Sequence, residues 1–78
     1  MKDIQLADVT VHIDENVSDE HRSRIENALR ALDGVVSVHM PLDKRHLVVV
    51  EYDPQANDSQ NILRCVREES VHAQLVGL

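Results

Sequence analysis

The stretch from Ser18 to Met40, SDEHRSRIENALRALDGVVSVHM, decides the fold, because it predicts a helix, a stop and a strand in succession. Ser18 has a residue type that is preferred at helix N-caps. Gly34 supplies the left-handed backbone conformation that ends many helices, and valines begin a strand directly after it. Apolar residues recur at the i, i+3, i+4 and i+7 spacing of one helix face, and they are Ile25, Ala28, Leu29 and Leu32.

Three further strands and one further helix are predicted outside this stretch. Apolar residues alternate from Leu6 to Asp14 and again from Val71 to Leu78, which is the period of a half-buried strand. The segment from His46 to Tyr52 contains three consecutive valines and is predicted to be a central strand. A second helix is predicted from its N-cap, Asp58, to about Glu69.

The resulting order, β-α-β-β-α-β, predicts the α+β fold class and a ferredoxin-like architecture. Two right-handed βαβ crossovers around a central hairpin give a four-stranded antiparallel sheet in the order 4-1-3-2, with both helices on one face. Residues 1–78 are expected to form a single domain. The core is expected to be aliphatic, because the chain has many Val, Leu and Ile residues, one Tyr, and no Phe or Trp.

Composition argues against several classes of partner. A net charge of −6 without a basic run disfavours nucleic acids and anionic membrane surfaces, and the scarcity of aromatic residues removes base-stacking platforms. The single cysteine, Cys65, has no partner for an internal disulfide, and no apolar run reaches membrane-spanning length. We therefore expect a cytoplasmic protein that contacts neither nucleic acid nor membrane.

Four motifs in register resemble the heavy-metal-associated domain, the family of small copper chaperones and of N-terminal modules of metal-pumping ATPases and mercuric reductases. They are Arg24–Leu29, Leu32–Val38, Val50–Pro54 and Ile62–Val66. The resemblance covers nearly all of the chain. It implies a ferredoxin-like fold, a metal-binding role without catalysis, and a metal transporter or another domain of this family as partner.

The family's metal site, a CxxC between the first strand and the first helix, is missing from this chain. By the resemblance, its two cysteine positions fall on Ser18 and His21. Two thiolates suit Cu(I) or Hg(II) because soft sulfur matches a soft metal, whereas a serine hydroxyl is a hard and neutral ligand. The one cysteine, Cys65, is predicted to be buried and inert in the second helix. High-affinity Cu(I) trafficking by the family mechanism is therefore not expected.

Five histidines in 78 residues suggest nitrogen ligands instead. Strand parity puts His12 and His72 on the sheet face opposite the helices, on adjacent antiparallel strands, where they are predicted to be cross-strand neighbours. With a carboxylate from Asp14 or Glu15 as third ligand, they would bind Zn(II), Cu(II) or Ni(II) weakly. The alternative is that these histidines are only polar residues on an exposed face.

The remaining histidines receive no firm role from the sequence. His21 starts the first helix near the same end, and His39 and His46 are placed in the hairpin at or near the other edge. Ser18 and His21 also have triad residue types, but a helix start offers neither an oxyanion hole nor a substrate pocket, so an enzyme is not expected. A small-molecule sensor of the ACT type is ranked last, because Glu15–Val17 lacks its glycine-containing loop.

Two functional hypotheses remain open. The first is a divergent heavy-metal-associated domain that lacks the thiolate site and acts in metal homeostasis. The second is a metal-independent interaction or homo-oligomerisation domain that uses the uncovered sheet face and pairs with itself or with a partner. The side chains predicted on that face are Thr10, His12, Leu47, Val49, Glu51, His72, Gln74 and Val76.

Overall fold

The computed structural model describes residues 5–77 and has the predicted element order. The strands are β1 (Ala7–Ile13), β2 (Val35–His39), β3 (Leu47–Tyr52) and β4 (Ala73–Val76), and the helices are α1 (Asp19–Arg30) and α2 (Ser59–Arg67). The last strand is shorter than predicted, and Leu78 lies outside the described residues. The second helix ends two residues early, because the chain turns into the left-handed region at Ser70 (φ 66°).

The four strands form one antiparallel sheet in the order β2-β3-β1-β4, which confirms the predicted topology. In the centre, Thr10 of β1 lies opposite Val49 of β3 on one side and Val76 of β4 on the other. The two helices lie on one face of this sheet, so that alternate strand residues point into the core. The predicted α+β ferredoxin-like fold is therefore confirmed.

Local signals set the ends of α1 as predicted. Ser18 is the N-cap, and its hydroxyl oxygen accepts a hydrogen bond of 3.1 Å from the backbone N–H of His21. After the helix, Gly34 has a φ of 81°, and its carbonyl accepts a hydrogen bond of 2.8 Å from the N–H of Asp53. Ser18 thus fixes the start of α1, and Gly34 lies in the turn between the C-cap of α1, Ala31, and the start of β2.

Aliphatic side chains from both helices and from the sheet fill the core. The largest fully buried ones are Ile13, Ile25, Leu29, Ile62, Val11, Val48, Val50 and Val66. The opposite sheet face has no helix over it in the described part of the chain, and Leu47 and Val49 are half-buried there. Burial of each core side chain stabilises the fold by about 1.5–3 kcal/mol relative to full exposure.

Three loops meet at one end of the sheet because β1 runs antiparallel to both of its neighbours. The end of β1 therefore lies beside the starts of β3 and β4: the N–H of Ile13 donates to the carbonyl of His46 (2.7 Å), and the N–H of Asp14 donates to the carbonyl of His72 (2.9 Å). We call this region the three-loop end; it comprises residues 14–18, 40–46 and 68–72.

Candidate metal-binding site

Four of the five histidines lie at or directly beside the three-loop end: His12, His21, His46 and His72. The exception is His39, which lies on the edge strand β2 opposite Val49. His46 lies in the β2–β3 hairpin, next to edge strand β2, as predicted. Because β3 also pairs directly with β1, the start of β3 lies beside the end of β1, as the predicted strand order implied.

His12 and His72 lie on the same sheet face of adjacent antiparallel strands, but they are not directly opposite each other. Gln74 lies directly opposite His12 in β4, and His72 lies two residues further along. Register between strands 60 residues apart depends on tertiary packing, which the alternation of apolar residues alone does not determine. His12 and His72 are diagonal neighbours instead, with an expected separation of about 7–8 Å between their Cα atoms.

Each of these two histidines is paired with a carboxylate of the β1–α1 loop. The Nδ1 atom of His12 lies 3.2 Å from Oδ1 of Asp14 and 3.1 Å from the side-chain amide nitrogen of Gln74, which also donates a hydrogen bond of 3.0 Å to the same carboxylate oxygen. The Nδ1 atom of His72 lies 2.5 Å from Oε2 of Glu15. Both imidazoles therefore contact the rest of the protein through their Nδ1 atoms.

The Glu15–His72 contact joins the β1–α1 loop to the α2–β4 loop. The backbone N–H of His72 also donates to the Glu15 carboxylate, at 2.9 and 3.1 Å. The side-chain hydrogen bond from His72, followed by the backbone one, lowers the pKa of Glu15. The same side-chain hydrogen bond, followed by the carboxylate charge, raises the pKa of His72. The two groups favour each other's charged form.

His46 supports the imidazole of His12 and is itself held by the β1–α1 segment. Its Nδ1 atom lies 2.6 Å from the carbonyl oxygen of Ile13, and its Nε2 atom lies 2.9 Å from Oδ1 of Asn16. Its ring stacks on the ring of His12, with centroids 5.6 Å apart and planes 14° from parallel. His46 is thus a supporting residue with both nitrogens engaged, a role the sequence analysis missed.

Two arginines fix the β2–β3 loop against α1. Arg22 is only 7% exposed, and its guanidinium donates hydrogen bonds of 2.9 Å to the carbonyls of Met40 and Arg45. Arg45 in turn donates to the carboxylate of Asp19 at 2.7 Å. That hydrogen bond and the charge of Arg45, with a smaller effect from the charge of Arg22, lower the pKa of Asp19.

Ser18 and His21, which are predicted to stand at the family's cysteine positions, both have structural contacts. The Ser18 hydroxyl caps α1, as predicted. The Nε2 atom of His21 contacts the carbonyl oxygen of Glu69 just beyond α2, so it donates a proton there and has no lone pair for a metal. These contacts hold the start of α1 and link it to the end of α2.

Cys65 does not lie near these residues. It is partly buried on α2, packed against the core and close to Leu32. Burial, followed by the charges of Glu68 and Glu69, raises the pKa of its thiol, and this disfavours the thiolate that metals bind. The donor set of this chain therefore does not fit two-coordinate thiolate binding of Cu(I).

Within residues 5–77, no group of three or more His, Cys, Asp or Glu side chains is arranged to hold a metal ion. The described residues do contain the two carboxylate–histidine pairs. Within that part of the chain, the Nε2 atoms of His12 and His72 make no hydrogen bond. Metal-binding histidines usually donate one N–H to a carboxylate in this way and bind the metal with the other nitrogen.

Solved structures of metal-binding proteins share this architecture. The copper chaperone of Enterococcus hirae matches with 22% identity and a TM-score of 0.78, over 87% of this chain and 98% of that chain. A copper transporter domain of yeast matches with 18% identity and a TM-score of 0.80, over 90% and 94%. Oxidized MerP from Ralstonia metallidurans matches with 14% identity and a TM-score of 0.80, over 91% and 97%.

The chain has the fold of heavy-metal-associated domains. The resemblance noted from the four sequence motifs is thereby confirmed at the level of the fold. No protein-family model matches the sequence, and no curated protein matches it. Among the described residues, neither helix is long and apolar enough to cross a membrane.

Proposed function

We propose that this chain is a non-enzymatic, cytoplasmic binding module of metal homeostasis that binds a divalent metal through imidazole nitrogens. The observation that carries the proposal is the pair of histidines, His12 and His72, whose Nδ1 atoms face carboxylates and whose Nε2 atoms make no hydrogen bond in residues 5–77. The resemblance in fold to copper-binding domains supports it. A metal transporter or another domain of this fold would be the partner.

Zn(II), Cu(II) and Ni(II) are the metals that this donor set favours. Imidazole nitrogen suits these borderline ions, and soft Cu(I) would be better held by the thiolates that this chain lacks. Asp14 and Glu15 contact Nδ1 atoms, so their first role is to orient His12 and His72. Two protein ligands give weak binding, which is suited to transfer.

The test is an NMR titration of the purified protein with Zn(II) and Ni(II) that follows the imidazole resonances of all five histidines. The resonances of His12 and His72 are expected to change first, and those of His39, on edge strand β2, are the internal control. Binding should be lost in the double variant His12→Gln, His72→Gln. A uniform response of all five imidazoles, or unchanged affinity in the double variant, would contradict the proposal.

A second candidate function is metal-independent association through the uncovered sheet face. The specific observation behind it is that Val76 is 41% exposed on this face, where Leu47 and Val49 are half-buried on the other side of β1. Sedimentation in the presence of a chelator distinguishes the candidates, because association through this face needs no metal. A monomer at all concentrations would exclude self-association of this kind.

A further inference from the structure

His12 and His72 each contact the protein through Nδ1, and their Nε2 atoms make no hydrogen bond within residues 5–77. We propose that two copies of this chain share one Zn(II) ion, bound by the Nε2 atoms of His12 and His72 from each copy. This inference rests on the proposed function and adds its partner, which is a second molecule of the same chain. The shared metal would be four-coordinate and tetrahedral, the geometry that Zn(II) adopts in closed protein sites.

Both imidazoles are accessible to a second molecule. The side chain of His12 is 39% exposed and that of His72 is 87% exposed. His12 lies on the sheet face that the helices leave uncovered, and His72 continues the same face between the buried residues Val71 and Ala73. A second copy that approaches this face would therefore meet both Nε2 atoms without moving a helix.

The carboxylates fix both rings before the metal binds. Asp14 and Glu15 engage the Nδ1 atoms, at 3.2 and 2.5 Å, and this directs each Nε2 atom away from the loop. Their negative charges also lie next to the bound cation. They offset the positive charge of Arg67, which lies beside His72 and donates to the carbonyl of Ala73. Pre-oriented ligands lose less entropy when the metal binds.

A single chain does not complete the coordination. Residues 5–77 contain no third His, Cys, Asp or Glu that joins the pair as a metal site. Both ring nitrogens of His46 lie within hydrogen-bond distance of protein oxygens, and the Nε2 atom of His21 is hydrogen-bonded to the carbonyl oxygen of Glu69. A two-fold axis through the metal supplies two more nitrogens from the same residues, and a tetrahedron of four imidazoles accommodates that symmetry.

Association should depend on the metal. Each chain carries a net charge of −6, so two copies repel each other, and a shared Zn(II) ion reduces this repulsion where the copies meet. Val76 and Leu47 lie on the same face and would add apolar contact around the site. This requirement for metal separates the inference from metal-independent association.

The experiment is sedimentation velocity during a Zn(II) titration, read together with the imidazole NMR spectrum. We expect a species of twice the 8.8 kDa chain mass, saturated at one Zn(II) per two chains and reversed by a chelator. His12→Gln and His72→Gln should each abolish it, whereas His39→Gln should leave it intact. Glu15→Gln should weaken Zn(II) binding by about 10-fold with the same stoichiometry, as expected for a positioning carboxylate.

Different failures identify which claim is wrong. If Zn(II) perturbs the resonances of His12 and His72 while the protein stays monomeric, the shared site is overturned and the proposed function stands. If the dimer survives in the folded double variant His12→Gln, His72→Gln, the shared site is also overturned. If neither imidazole responds to Zn(II), the proposed function itself fails. Backbone amide spectra of each variant establish that it is folded.

Discussion

Gly34 has a φ of 81°, and a Cβ added there would lie 2.6 Å from the Cβ of Ala56. Gly34→Ala therefore combines left-handed strain with a steric clash, and we expect it to lower the free energy of unfolding by about 1–3 kcal/mol. Urea denaturation measures this loss. Gly77→Ala is the control, because Gly77 has a φ of 78° but no neighbour within 4 Å. Equal losses in both variants would show that the clash with Ala56 contributes nothing.

Ser70 occupies the left-handed region with a φ of 66°, directly after α2 and its cap. Glycine adopts this conformation without a Cβ penalty and is the usual residue where helices end in this way. We expect Ser70→Gly to raise the free energy of unfolding by about 0.5–1 kcal/mol. Thermal denaturation measures the gain, and Ser70→Ala, which keeps the strain, should show none. A destabilised Ser70→Gly variant would refute this account of the turn.

The Glu15–His72 pair makes a pH-dependent contribution to stability. Its His72 part is present below the ordinary pKa of 6.5 and is lost as the pH rises through the raised pKa of the folded state. Its Glu15 part is present above the ordinary pKa of 4.5 and is lost as the pH falls through the lowered pKa. The stability difference between the native protein and Glu15→Gln should therefore be largest between these two values.

Urea denaturation at a series of pH values tests this dependence. The matched control is Glu20→Gln, an exposed carboxylate in the first turn of α1. The difference in free energy of unfolding between the native protein and Glu20→Gln should not decline as the pH rises above neutral, because such a decline is caused by deprotonation of His72. A Glu15→Gln difference that stays constant across neutral pH would mean that the contact does not form in solution.

At the scale of elements, local signals specified the helices and the strand order, but not the register between strands. The cap at Ser18, the apolar stripe through Ile25 and Leu29, and the stop at Gly34 all act within a few residues, so the sequence alone specifies them. The pairing of His12 with Gln74 joins residues 62 positions apart and depends on how the whole sheet packs. His12 and His72 therefore lie on the predicted face and on adjacent strands, and their diagonal register is a detail that the sequence left open.

Arg22 connects α1 to the β2–β3 loop through two hydrogen bonds to backbone carbonyls. Arg22→Met keeps an apolar stem but leaves the carbonyls of Met40 and Arg45 without these donors. We therefore expect it to lower the free energy of unfolding by about 1–3 kcal/mol. Hydrogen exchange should also become faster at the N–H of Leu47, which donates to the carbonyl of Lys44 in this loop. Arg24→Met, exposed on the same helix, should change stability by less than about 0.5 kcal/mol. Equal effects of the two variants would contradict the bridging role.

At the scale of the whole molecule, the fold was predictable and the site only in part. Hydrophobic periodicity and the handedness of crossovers sufficed for the ferredoxin-like topology. The fold does not specify the ligands, because a scaffold is compatible with different sites. The contact of His21 with Glu69 and the engagement of both nitrogens of His46 depend on contacts between distant loops that no sequence pattern encodes, whereas the capping role of Ser18 is local and was predicted.

The central claim is the proposal that metal binds to the imidazoles of His12 and His72 rather than at the start of α1. Calorimetric titration with Zn(II) of two variants tests it most directly: the double variant His12→Gln, His72→Gln, and the single variant His21→Gln, at a position predicted to correspond to a family cysteine. The account predicts that the double variant loses Zn(II) binding and that His21→Gln retains it. Loss of binding in His21→Gln, with binding retained in the double variant, would contradict it.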